Sequence, residues 1–274
     1  MNEPTFLFDN EDPEMQEACR AAQASFRYFW RELSWERRRI VPALNMTLLK
    51  LPFTDGPQAD GNSEFEQMWI GDIDFDGDSV SGTLLNSPNY LTSVQEGCVV
   101  SAPFGHLTDW MMTADGRAYG GFTVNLMRSK MNRRERNEHD QAWGLDFGDP
   151  TDVQIEIKEK SKPKAGLIAS LFGKDTGPQS VPEGFKDHPM CANMIPEIEA
   201  LLQADPSIAR TVDEDGWTLL HQEALSGNLG VVKLLVSFGA DCTARTPSGY
   251  TAAELARKIG WSEIADHINA HAAI

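Results

Sequence analysis

Between residues 14 and 39, apolar side chains return at every third or fourth position: Ala18, Ala22, Phe26, Phe29, Trp30 and Leu33. That spacing lines them on one face and predicts an amphipathic helix. Asp12-Pro13 marks its start. Arg37-Arg38-Arg39 gathers positive charge at its end, where the helix dipole favours cations, so the triplet needs no ligand to explain it. Past residue 44 the period shortens. Residues 44–53, 68–75, 79–85, 97–103, 107–112 and 119–126 read as strands, with Asp76-Gly77 and Asp115-Gly116 as tight turns. A leading helix and five or six antiparallel strands predict an α+β domain. Residues 132–140 are highly charged and predict an exposed helix or loop.

From residue 187 the pattern repeats itself. Gly216, Thr218 and Gly227 recur thirty-three residues later as Gly249, Thr251 and Gly260. Val231-Val232 maps onto Ile264-Ala265, and Leu234-Leu235 maps backwards onto Leu201-Leu202. This resembles the ankyrin repeat, whose period is 33 and whose signature is Gly-x-Thr-Pro-Leu-His-x-Ala-Ala-x-x-Gly. The middle repeat keeps Thr218, Leu220, His221, Ala224 and Gly227 and departs at Leu219 for Pro and Glu223 for Ala. The last carries Ala252 and Glu254 at the Pro and His places, and the first keeps only its second helix. Each repeat is two short helices that cannot bury an apolar face alone, so about two and a half to three repeats must lean on other chain. Thr218 and His221 are expected to bond near the start of their helix, a structural role for His221. The resemblance implies partner binding by loop tips and the concave helix surface. Here the tips are 212–217 and 246–250, offering Asp213, Glu214, Asp215, Trp217, Ser248 and Tyr250 as contacts. Trp217 and Tyr250 have an alternative use, packing on neighbouring repeats.

The N-terminal part carries its own series: Met68-Trp69-Ile70, Asn86-Ser87-Pro88, Thr108-Asp109-Trp110-Met111 and Gly120-Gly121-Phe122-Thr123. This resembles the YegJ-like family of bacterial domains, over roughly residues 15–130, and the resemblance brings no activity with it. The expected organisation is an α+β YegJ-like domain over 1–155, a linker over 156–186 and an all-α ankyrin-repeat domain over 187–274. The linker is rich in Lys, Gly and Pro, interrupted by an apolar run at 165–172 that reads as docking across the two domains, with an amphipathic anchor or peptide ligand as the alternative.

Composition narrows the function. The formal charge is −17, and both flanking domains are acidic around a neutral linker. Such a surface repels phosphates and disfavours direct nucleic-acid binding. It suits solubility, and equally an encounter with a basic partner. No stretch is apolar for the roughly 18–20 residues of a membrane span. Met1-Asn2-Glu3-Pro4 lacks the basic and apolar regions of a secretory signal. Cys19, Cys98, Cys191 and Cys242 lie too far apart for a zinc or redox motif, and the expected location is cytoplasmic.

Candidate chemistry is sparse. Asp72, Asp74 and Asp76 mimic the start of a calcium loop, but Thr83 stands where a bidentate carboxylate belongs. Alternation onto one strand face, opposite Ile73 and Phe75, explains them better. His106 and Asp109 have acid–base spacing without a nucleophile, and Asp109 reads as a turn residue bonding local amides. Neither a metal nor a cofactor is expected, nor catalysis. The leading reading is a non-catalytic protein-binding module with a basic protein partner, for example an immunity protein neutralising a nuclease toxin. The alternative is an enzyme or small-ligand sensor with Trp69, Asn86, His106, Asp109 and Trp110 around an N-terminal pocket.

Overall fold

The computed structural model describes residues 12–56, 65–157 and 185–272. The N-terminal residues read for a signal, and nearly all of the expected linker with its apolar run, lie outside the described residues. The chain divides into two compact units. The first takes residues 1–23, 42–74 and 81–181; the second takes 24–41, 75–80 and 182–274. Helix α1 (Pro13–Glu36) therefore gives its opening turns to the first unit and the rest to the second. Asp12 starts it as expected, its Oδ1 accepting the Glu14 amide at 2.9 Å.

The first unit is built on a six-stranded sheet of β1 (Met46–Phe53), β2 (Glu66–Phe75), β3 (Ser79–Leu84), β4 (Val99–Pro103), β5 (Asp109–Ala114) and β6 (Arg117–Gly120), in the order β4-β3-β2-β1-β5-β6. Central β1 pairs antiparallel with β2 (Leu49 opposite Ile70) and with β5 (Leu49 opposite Trp110). Leu48, Met111, Ala118, Val124 and Phe147 form a buried cluster on which Trp69 and Trp143 pack. Along β2 the exposed Asp72 and Asp74 alternate with buried Ile73 and Phe75, the period a half-solvated strand requires.

One expected strand is wrong. Residues 119–126 do not run on as a strand: β6 stops at Gly120, and helix α2 (Phe122–Lys130) begins two residues later. Gly120 and Gly121 both have positive φ, 74° and 69°, and a Cβ on Gly120 would lie 2.4 Å from the Trp110 carbonyl oxygen. Only glycine tolerates both demands, and the chain turns from sheet to helix there. The charged 132–140 stretch is helical, within α3 (Arg133–Trp143), which starts at an Asn132–Glu135 capping box. Arg128 of α2 binds Asp140 of α3 through Nε at 2.8 Å and Nη2 at 2.6 Å, joining the two helices.

Besides the later turns of α1 and residues 75–80, the second unit holds α4 (Pro189–Ala204), then the pairs α5 (Leu219–Leu225) with α6 (Leu229–Ser237) and α7 (Ala252–Ile259) with α8 (Ser262–Ala272). The repeat is visible in the backbone. Bridges Val212–Thr218 and Arg245–Thr251 close equivalent turns, and Thr218 and Thr251 cap the next helices in the same way. Gly227 has φ 79°, and a Cβ there would stand 2.5 Å from the Trp261 ring, so the α5–α6 turn meets the α7–α8 turn where no larger residue fits.

Candidate functional site

The two loop tips begin from the same turn. In the first, the Asp213 amide donates to the Trp217 carbonyl at 2.8 Å; in the second, the Thr246 amide donates to the Tyr250 carbonyl at 2.9 Å. Asp213 then ties its own tip together. Its Oδ1 accepts the amides of Asp215 at 3.1 Å and Trp217 at 2.7 Å, and its Oδ2 accepts Gln222 Nε2 at 2.8 Å. Glu214 and Asp215 project into solvent, beside Val212, which is 57% exposed. Trp217 is half-buried with its ring edge against His221. Of partner contact and packing, the structure shows packing within its own repeat, with part of Trp217 left exposed.

The second tip is tied elsewhere. Ser248 is exposed, but the Tyr250 hydroxyl donates to Asp78 Oδ1 at 3.1 Å, and Lys258 Nζ donates to the same hydroxyl at 3.1 Å and ion-pairs with Asp78. The ammonium also lies 4.3 Å from the Tyr250 ring centroid. The Lys258 hydrogen bond holds the Asp78 carboxyl below its ordinary range. Asp76 shapes the turn that presents Asp78, its Oδ1 accepting the amides of Asp78 and Ser79 at 2.8 and 2.7 Å. Gly77 follows with φ 92°, closing the turn against Leu255.

His221 is locked into the stack. Nδ1 accepts the Thr218 amide at 3.0 Å, and Nε2 lies 3.0 Å from the Ala244 carbonyl oxygen, which fixes the proton on Nε2. Burial lowers its pKa, favouring the neutral ring this arrangement needs.

Sequence reasoning missed what the later turns of α1 do within the second unit. Trp35 Nε1 donates to Asn228 Oδ1 at 3.1 Å, Asn228 Nδ2 donates to Glu223 at 2.6 Å, and Arg38 Nη2 pairs with Glu223 Oε1 at 2.9 Å. Ser34 and Ser226 hydroxyls meet at 3.1 Å, and Arg27 and Arg31 both stack on Trp261. The basic triplet is therefore more than a dipole complement: Arg38 reaches the repeats, and Arg39 pairs with Glu36 and Glu32. The signal was present at Glu223, a carboxylate where the repeat signature has alanine.

In the first unit, Asp109 and Trp110 are fully buried. Asp109 Oδ1 accepts the amides of Trp110 and Phe122, each at 2.9 Å. Its Oδ2 accepts the Thr123 amide at 2.8 Å and the Thr123 hydroxyl at 2.6 Å. Asp109 thus caps α2, a carboxylate at the positive end of a helix. Burial pushes its carboxyl up and the Lys50 amine down, opposed in Asp109 by these donors and by the Lys50 charge. Lys50 Nζ reaches Thr123 Oγ1 at 3.3 Å and lies over Trp69. Asn86 Oδ1 accepts the Trp69 amide at 3.1 Å. His106 stands exposed in a 3-10 turn. The motif residues that carry the N-terminal resemblance, Asp109, Trp110, Gly120, Gly121 and Thr123, thus bond largely to one another.

Comparison with known proteins gives two family matches. Residues 12–147 match the bacterial family described as an uncharacterized protein conserved in bacteria, DUF2314, and residues 215–247 match the ankyrin repeat. A putative ankyrin repeat protein of Neisseria meningitidis serogroup B is 40% identical over 261 residues, 95% of each chain. The uncharacterized protein YegJ of Escherichia coli K12 is 26% identical over 90 residues, 33% of this chain and 55% of its own. Human protein phosphatase 1 regulatory subunit 27 is 41% identical over 58 residues, 21% of this chain and 38% of its own. Near-complete coverage at 40% identity decides the matter: the chain belongs to the family of the Neisseria ankyrin repeat protein, and in it the DUF2314 match precedes the ankyrin match.

Proposed function

We propose that the protein is a non-catalytic binding module that holds a basic protein partner on its first loop tip, around Asp213, Glu214, Asp215 and Trp217. The single observation behind this reading is the uneven charge of the repeat unit. Arg245, Arg257 and Lys258 each face a carboxylate of their own unit, from Glu254, Asp266 and Asp78. Glu214 and Asp215 face solvent, so their charge is available to a partner, and Trp217 and Val212 beside them supply apolar contact. Ser248 extends the surface, while Tyr250 is held by Asp78. The ankyrin match and the regulatory-subunit name of the human relative support binding without catalysis.

The finer form of the proposal is an immunity-type protein, acting in the cytoplasm, that covers the basic active site of a toxin such as a nuclease and touches neither nucleic acid nor membrane itself. Among the described residues no helix is long and apolar enough to cross a membrane. The test is affinity capture from the native cell at low salt, run beside Glu214→Lys/Asp215→Lys. A basic protein held by the unmodified chain, lost from the double variant and released as salt rises, is the expected result. A captured set that the charge reversal leaves unchanged would sink the reading.

A further inference from the structure

The last helix carries a cluster that partner binding leaves unused. His267 and His271 stand one turn apart on α8, their ring centroids 4.5 Å from each other. His271 Nδ1 lies 2.8 Å from the His267 carbonyl oxygen. A carbonyl only accepts, so Nδ1 carries the proton and Nε2 keeps its lone pair. That is the orientation of a metal-ligating imidazole, with one ring nitrogen donating to a backbone carbonyl and the other available. His267 Nε2 is buried and has no hydrogen-bond partner among the described residues. Burial first, then the charges of His271 and Lys233, lower the His267 pKa and favour the neutral ring a metal needs. Two histidines at i and i+4 on a helix present both rings to one ion.

We propose that His267 and His271 form a two-imidazole site for a divalent transition-metal ion such as copper, nickel or zinc. Among the described residues no group of three or more His, Cys, Asp and Glu is placed to hold a metal, and the proposed site has these two imidazoles as its protein ligands. Nitrogen donors beside the positive Lys233 disfavour magnesium and calcium, which take oxygen ligands. Copper(II) heads the affinity order for such donors.

The test uses the tag-free full chain and Cu²⁺ alone, added below stoichiometry near neutral pH while the imidazole C–H resonances are followed by NMR. His267 and His271 are expected to broaden first, ahead of the exposed, solitary His106. His267→Gln and His271→Gln should each lower the affinity at least as much as the roughly 10–100-fold that loss of an outer-shell partner costs. His271 is exposed, so its variant tests the site without disturbing the packing of α8. Acidification to about pH 5 should release the ion, because protonated imidazoles cannot ligate. No broadening, broadening that starts at His106 or strikes all histidines together, or an unchanged affinity in His271→Gln overturns the proposal.

Discussion

The first loop tip folds around its own carboxylate, whereas the second is fastened to a hairpin far away in the chain. Asp213 supplies three acceptor bonds within ten residues of itself. Thr246 closes the second turn, and Asp78, 172 positions from Tyr250, accepts the tyrosine hydroxyl. The same repeat frame thus produces one tip whose acids face solvent and one whose aromatic is engaged. A loop residue in a repeat protein is available to a partner only when nothing else in its own unit has claimed it, and the consensus is silent on that.

The largest expected effect falls on what both tips rest upon. Glu223→Ala restores the signature residue, yet it should destabilise the protein by about 2–3 kcal/mol, because Asn228 and Arg38 lose a buried acceptor. Denaturant unfolding of the two chains measures it. Unchanged or increased stability would mean that α1 contributes little to the repeat stack, and that both tips stand on the repeats alone.

Asp213→Ala should act more locally. Two tip amides and the Gln222 side chain lose their acceptor, at a cost of about 1 kcal/mol. The local nature of the change should show as faster amide exchange at Asp215 and Trp217, with Tyr250 unaffected. Equal acceleration in both tips would erase the distinction between them.

The same contrast separates what could be read in the sequence from what could not. The period of the repeats, the caps at Thr218 and Thr251 and the structural role of His221 all depend on residues within one turn or one repeat of each other. The amphipathic α1 and the alternating Asp72–Phe75 stretch were legible for the same reason. The start of α2 was not, because the carboxylate that caps Phe122 and Thr123 comes from Asp109, on another strand. Gly120-Gly121 was the local trace of that turn. The pairs Arg38–Glu223 and Asp78–Tyr250 bridge long stretches of chain, which no window of periodicity reaches. Glu223 was detectable only as a departure from the signature, and its meaning required Arg38 to be placed.

The smallest effect is expected at the second tip itself. Asp78→Asn keeps the shape of the hairpin turn, since Asp76 supplies the turn's acceptor, and removes the charge that faces Lys258. Both partners are more than a third exposed or close to it, so the loss of stability should be at most about 0.5 kcal/mol, shrinking further in high salt. The pH dependence has a definite sign. The folded pKa of Asp78 is lowered, so its small contribution is present above the ordinary aspartate value and disappears as pH falls through the folded value. Amide exchange at Tyr250 is the sensitive readout: it should rise in Asp78→Asn at neutral pH, and the two chains should converge in acid. If exchange at Trp217 rises as well, the tips are coupled through the stack. If Tyr250 alone responds, each tip can be engaged without the other, as a partner seated on Asp213–Asp215 alone requires.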